Sequence, residues 1–267
     1  MQELRLGEVS LKKSKSKVST KTIALVGQPN CGKSTLFNAL SDIKVSTANF
    51  AGTTVEYKDS LINIYGQSVY IIDLPGIYTL TPSEPAEYAT FNYLLNKDID
   101  LIINVIDSTL LTKSLELTVE LTQLGIPIVI ALNMSDEAQN NGIEIDSELL
   151  SNFLGSIPVV KISALFKKGM TELLNSIYTQ LFTEPIKPLP ATLAKPIEEA
   201  LTKFSGIVEI LSSKSIHNRF FLIKALENED VVKDFIRINN KDIYLELKRN
   251  LSKQFGLSVF EILTSER

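Results

Sequence analysis

The chain has 267 residues, of which 44% are hydrophobic and 22% charged, with a formal net charge of −4. That length and apolar content allow one large domain or two modest ones, and the charge gives no overall basic field that would draw in nucleic acid. One cysteine, Cys31, and one histidine, His217, exclude an internal disulfide and a zinc or iron site of soft-ligand type.

Residues 1–20 carry Lys12, Lys13, Lys15 and Lys17 without the apolar stretch of a signal peptide. They are expected to form a mobile basic arm that could meet an anionic surface or partner. Residues 21–183 then alternate strand and helix patterns. Strands are predicted at Thr22–Gly27, Thr54–Ile64, Ser68–Asp73, Leu101–Asp107, Ile126–Asn133 and Pro158–Ser163. Several are unbroken β-branched runs, as parallel strands buried on both faces require. Amphipathic helices are predicted at Lys33–Ser41, Pro85–Leu95, Leu110–Leu124, Ser147–Leu154 and Lys168–Phe182. Only Tyr65-Gly66-Gln67 is a short turn, so the second and third strands should form an antiparallel hairpin at one sheet edge. The expected fold is α/β, a six-stranded mixed sheet with helices on both faces.

Pro185, Pro188 and Pro190 interrupt this pattern, and residues 184–190 read as a linker. Beyond them, periodicity is helical at Ile197–Leu211, Asn218–Leu226, Asp230–Ile238 and Asp242–Phe255. Residues 191–267 are therefore expected to form a small all-α domain. The chain lacks the apolar run of about 18 residues that a membrane-crossing helix needs, so it is not expected to span a bilayer itself.

The chemistry lies in the first region. Gly27-Gln28-Pro29-Asn30-Cys31-Gly32-Lys33-Ser34 follows a predicted strand and opens a predicted helix, the required setting for a phosphate-binding P-loop. In such a loop successive backbone N–H groups and a helix N-terminus face the phosphates. Residues 28–35 (Gln28 to Thr35) are the candidate phosphate contacts. Lys33 would bridge the β- and γ-phosphates, and Ser34 would ligate Mg²⁺. Asp73-Leu74-Pro75-Gly76 closes the third strand as DxxG. Asp73 would lie near the metal, and the Gly76 N–H would sense the γ-phosphate. Asn133-Met134-Ser135-Asp136 closes the fifth strand as NxxD. A carboxylate at Asp136 can accept hydrogen bonds from guanine N1–H and the 2-amino group, donors that adenine lacks on that edge. Asn133 would tie this loop to the P-loop, and Met134 would cover the base face where a lysine stem is more usual. Ser163, Ala164 and Leu165 would supply a backbone N–H to guanine O6. In the segment from Ser46 to Glu56, Thr54, with Thr53 as the alternative, would offer a hydroxyl to Mg²⁺ and an N–H to the γ-phosphate. Ile77 follows DxxG where Ras-like proteins place a water-orienting glutamine, which points to slow intrinsic turnover.

The runs GQPNCGKSTLFNAL, NFAGTTVE, DLPGIYTL and ALNMSDEA resemble the cytosolic G-domain of the FeoB family, prokaryotic ferrous iron transport protein B. Residues 184–267 are similar to that family's helical guanine-nucleotide dissociation inhibitor domain. The resemblance implies a GTPase that regulates an attached or associated membrane permease at the cytoplasmic face. It also implies potassium-stimulated hydrolysis, with Asn30 and backbone carbonyls near Asn49 and Phe50 as K⁺ ligands. GTP or GDP, Mg²⁺ and K⁺ are the implied cofactors, nucleic acid is not an expected partner, and a homo-oligomer stays open. Gln28, Phe50 and Thr53 depart from the family's usual Asn, Trp and Val. A stand-alone GTPase of the Era or TrmE kind is the alternative, against which the acidic balance counts. A scaffold with negligible turnover is the third reading.

Overall fold

The computed structural model describes residues 20–41, 45–50, 55–212, 214 and 216–266. Strands β1 (Lys21–Gly27), β2 (Val45–Asn49), β3 (Glu56–Ile64), β4 (Gln67–Asp73), β5 (Leu101–Asp107), β6 (Ile128–Asn133) and β7 (Val159–Lys161) form one sheet in the order β2-β3-β4-β1-β5-β6-β7. β1 is parallel to β4 and β5, and the parallel set continues through β6 to β7. β3 is antiparallel to both β4 and β2. The sheet thus has seven strands where six were expected, and its edge is β2 rather than the β3–β4 hairpin. The Val45–Asn49 segment shows no alternation of apolar residues, so its strand state comes from pairing with β3, not from its own pattern.

Helices α1 (Lys33–Leu40), α2 (Pro85–Asn96), α3 (Leu111–Thr122), α4 (Ser135–Asn140), α5 (Ser147–Phe153) and α6 (Met170–Phe182) connect or follow these strands. Successive residues of a strand face opposite sides, and the core divides accordingly. Ile23 and Leu25 pack with Leu36 and Phe37 of α1 and Leu173 and Ile177 of α6. Ala24 and Val26 face the other way, toward Phe91 and Leu94 of α2 and Leu117 and Leu121 of α3. A polar tie crosses this second layer, where Asn104 of β5 donates to the Thr118 hydroxyl of α3 at 2.6 Å.

The second core runs on without a break into the C-terminal region, built from α7 (Lys195–Ser205), α8 (Asn218–Glu227), α9 (Glu229–Val232), α10 (Lys241–Phe255) and α11 (Val259–Ser265). Phe91 of α2 meets Phe220 of α8 with ring centroids 6.2 Å apart. The region is not purely helical. β8 (Val208–Ile210) pairs antiparallel with β9 (Ile236–Ile238). The helices expected over Ile197–Leu211 and Asp230–Ile238 therefore end early, the first at Gly206. Beyond each end, β-branched residues satisfy their backbone groups across the ribbon instead. Helix α11, not foreseen, is fixed by a capping box between Ser258 and Glu261. Among the described residues no helix is long and apolar enough to cross a membrane.

Gly125, three residues beyond α3, lies in the left-handed region at φ 73°, and a Cβ there would collide with the imidazole of His217. The His217 N–H donates to Leu124 O at 3.2 Å, so this contact joins the end of α3 to the start of α8. Gly125→Ala is expected to cost about 1–2 kcal/mol from the backbone alone. His217→Ala in the same chain should relieve the collision but not the backbone penalty. Chemical unfolding of the single and double variants reads both.

Candidate nucleotide site

Register brings Gly27 beside Val105 and Leu25 beside Asp73, while Asp107 lies opposite Asn133. The carboxyl ends of β1, β4, β5 and β6 therefore share one rim. The chain reverses its direction of travel around β1, with β4 on one side and β5 on the other. Ligand crevices of open α/β sheets form at such a reversal.

The loop from Gln28 to Gly32 leaves β1 at this rim. Asn30 and Gly32 are left-handed, with φ of 64° and 86°, which turns the loop so that its backbone encloses a concavity. α1 begins immediately after, with no side-chain cap and no acidic residue in its first turn. By contrast, α5 is capped by Asp146 and α10 by Asn240. The N–H groups at the start of α1 are thus left for an anion. Lys33 is buried, and its Nζ donates to Gly27 O at 3.1 Å and Gln28 O at 3.0 Å. The ammonium is held over the loop it would share with phosphate.

The Ser34 hydroxyl donates to Asp73 Oδ2 at 2.7 Å. Asp73 Oδ1 is buried and has no hydrogen-bond partner among the described residues. Burial pushes the Asp73 carboxyl above its ordinary range, opposed by the Ser34 bond and the Lys33 charge. A buried carboxylate oxygen beside a serine hydroxyl is a hard-oxygen pair of the kind Mg²⁺ takes, so the residues fit that ion. Further along, Gly76 packs on the P-loop. A Cβ at Gly76 would lie 2.8 Å from the Pro29 nitrogen and 3.1 Å from Lys33 Nζ. The Ile77 N–H donates to Gly27 O at 3.1 Å, and its side chain is fully buried in the core. Ile77 therefore anchors this segment rather than facing the phosphate site.

Asn133, 3% exposed, joins the remaining loops. Its Nδ2 donates to Cys31 O at 2.9 Å, and its Oδ1 accepts from the Ala164 N–H at 2.9 Å. A Cβ on Gly32 would strike the same amide. Met134 is left-handed at φ 58°, and Asp136 follows in the first turn of α4. A cavity of about 180 Å³ is lined by Gly32, Thr35, Asn133, Met134, Asp136 and Leu165, among others. A larger one of about 490 Å³, touching Ser135, Gln139 and Lys161, includes no P-loop residue.

Thr53 and Thr54 lie outside the described residues, as does most of the basic arm. Phe50 is buried; its N–H donates to Val55 O at 2.9 Å, and its ring packs on Tyr57 and Tyr93.

Residues 21–177 match the family model of ferrous iron transport protein B. The chain belongs to that family. It is 33% identical over 237 residues to a Porphyromonas gingivalis Fe(2+) transport protein A/Fe(2+) transporter FeoB fusion protein, covering 86% of this chain and 28% of that protein. It is 41% identical over 156 residues to the Salmonella typhimurium Fe(2+) transporter FeoB, covering 57% of this chain and 20% of the transporter. It thus spans less than a third of the length of these relatives. Among solved structures, a GDP-bound variant of S. thermophilus NFeoB superposes with a TM-score of 0.82 at 31% identity, covering 92% of this chain and 96% of that one. S. thermophilus NFeoB bound to GDP.AlF4- and K+ gives 0.77 at 32% identity, with the same coverage. The fold is that of the FeoB G-domain, with its helical region included in the superposition.

The Gln28 side chain in this family member donates to Lys113 O on α3 at 2.8 Å. Lys113 in turn lies over the Tyr78 ring at 5.2 Å. Neither link carried a signal in the sequence, because both run through main-chain atoms or an exposed ring.

A raised carboxyl pKa means the folded state favours the protonated form. Asp73 thus contributes stability below its unfolded pKa that is lost as pH rises through its higher folded value. Asp73→Asn should therefore raise the melting temperature of the ligand-free protein near pH 7, and a further rise on adding Mg²⁺ with GDP, expected for the wild type, should be lost in the variant. Differential scanning calorimetry with and without Mg²⁺ measures both.

Proposed function

We propose that this chain is the GTP-binding and GTP-hydrolysing regulatory module of a ferrous iron membrane transporter, working at the cytoplasmic face on an attached permease. The observation that carries the nucleotide reading is the Asn133 bridge, which brings the P-loop and both base-side loops to one cavity. The iron and permease statements rest on family membership and on the names of the relatives. That membership also favours a transporter module over a stand-alone GTPase.

In this reading the P-loop N–H groups and the start of α1 hold the phosphates, and Lys33 exchanges its two carbonyl partners for β- and γ-phosphate oxygens. Asp136 accepts from the guanine edge, Met134 covers one face of the base, and the Ala164–Leu165 backbone faces its O6. Ser34 and Asp73 would hold Mg²⁺, with Thr54 as a further ligand. Asn30 would hold K⁺, in keeping with the K+-bound relative. When bound, these cations supply positive charge to a developing anionic transition state. Ile77 offers no hydrogen bond to an attacking water, so turnover without K⁺ should be slow.

Phosphate release measured in KCl and in NaCl tests the catalytic claim. The wild type should turn over faster in KCl, whereas equal rates would remove the potassium site. Asn30→Ala should lose that difference while still binding nucleotide. Lys33→Ala should weaken GTP binding about 100-fold through loss of a charge-assisted contact. Asp136→Asn should relax the preference for GTP over ATP, and unchanged selectivity would take Asp136 out of the base site.

A further inference from the structure

The sheet face that carries α2 is left partly open. Thr22 of the central strand β1 is half-buried, and Tyr70 beside it on β4 is 43% exposed. A groove of about 250 Å³ lies over this gap, bounded by β3, β4 and the C-terminal end of α2. Tyr57, Tyr70 and Tyr93 supply three phenol rings to its walls, and Asp59 supplies a carboxylate. Ring faces attract a positive charge, and a carboxylate neutralises it. These groups therefore suit an alkylammonium, whose stem packs on the rings while its head meets the acid.

The groove already shows this character. Lys97 Nζ stands over the Tyr93 ring at 6.0 Å, at the end of α2. Burial, together with Tyr57 and the charge of Asp59, pushes the Tyr93 phenol up to about 12. The ring thus stays neutral in negative surroundings. Other nearby cations are directed elsewhere. Lys58 alternates to the opposite face of β3. Lys214 is paired with Asp98, which also lines the groove, at 2.6 Å, and Lys21 is paired with Asp100 at 2.6 Å.

The chain's own N-terminal arm is a ready source of ammonium groups. Thr22 lines the groove, and residues 1–19, outside the described residues, join the fold just before it. Residues 11–19 hold Lys12, Lys13, Lys15 and Lys17 and no acid. Residues 1–20 contribute +3 to the chain's −4, so the remainder carries −7. Lys17 stands five residues before Thr22 and Lys12 ten, spans of at most about 17 and 33 Å when extended. Strand β3 is two strands from β1, about 10 Å away, so the arm is long enough to double back to Tyr57 and Asp59.

We propose that the basic arm docks on its own domain, with a lysine of residues 12–17 set among Tyr57, Tyr70 and Tyr93 and its ammonium at Asp59. The inference goes beyond the nucleotide reading and does not depend on it. A docked arm abuts the rings that bracket segment 46–56: Phe50 packs on Tyr57 and Tyr93 at 4.8 and 5.6 Å, and its N–H donates to Val55 O. Docking also withdraws the arm's lysines from any anionic surface.

The 267-residue chain has no tryptophan, so Tyr70→Trp places a single reporter in the groove. Acrylamide quenching of that indole is measured with the native arm and with Lys12→Ser, Lys13→Ser, Lys15→Ser and Lys17→Ser combined, and melting temperatures check that both chains fold alike. The native arm should shield the indole, so the serine variant should be quenched about twofold more readily. Asp59→Asn in the native-arm chain, or NaCl at about 1 M, should raise quenching in the same direction. In the unsubstituted chain, carbodiimide should couple an arm lysine to Asp59 or Asp98 within one molecule. Equal quenching in the two chains would overturn the proposal, and so would cross-links that form only between molecules. Equal quenching together with arm-dependent flotation on phosphatidylglycerol vesicles would replace it with a membrane contact.

Discussion

The candidate site depends on one buried amide. Asn133 has two hydrogen-bonding ends, and each holds a different loop: Nδ2 the carbonyl of Cys31, Oδ1 the N–H of Ala164. The Ala164 turn is closed on itself by the Ser163–Lys168 bridge, and the Asn133 amide ties that turn to the P-loop. Gly32 is required beside it, because any Cβ there would occupy the space of the amide. The P-loop, the NxxD turn and the Ser163–Leu165 segment thus take their mutual positions from a side chain at the end of β6. Loss of either bond would strand a buried polar group, at about 1–3 kcal/mol each.

A second constraint acts on the segment that follows Asp73. The backbone after Asp73 rests on the P-loop through Gly76 and Ile77, and it is held further along by the Glu120–Lys224–Glu227 cluster. Helix α3 touches both the P-loop and the cluster, since the Lys113 carbonyl near its start accepts from Gln28 and Glu120 near its end accepts from Lys224. Continuous core packing from α2 and α3 into α7 and α8 gives these polar links a stiff support. The C-terminal region thus packs against the segment that follows Asp73 and helps to hold it in place.

Much of this architecture was legible in the sequence, for identifiable reasons. The central parallel strands are unbroken apolar runs such as Leu101–Asp107, and the phosphate loop has fixed glycines. β2 was not legible, because its polar residues become a strand only by pairing with β3. β8 and β9 span three residues each, too few for any period to register. Helix α11 is marked in the sequence by its Ser258–Glu261 capping pair. Lys224 left a trace as well: a lysine flanked by Ile223, Ala225 and Leu226, with Glu227 three positions on. Its partner Glu120 is 104 residues away, and only the fold brings them together. The bond from the Gln28 side chain to α3 was not legible either, since its acceptor is a main-chain carbonyl.

The most direct measurement is competition of GTP and ATP for the wild-type chain and for Asn133→Ala, followed by displacement of a fluorescent GDP analogue. The account predicts that ATP fails to compete with the wild type even at about 1,000-fold excess over GTP. It also predicts that Asn133→Ala, still folded, binds GTP at least about tenfold more weakly. Equal competition by ATP, or unaltered GTP affinity in the variant, would contradict it.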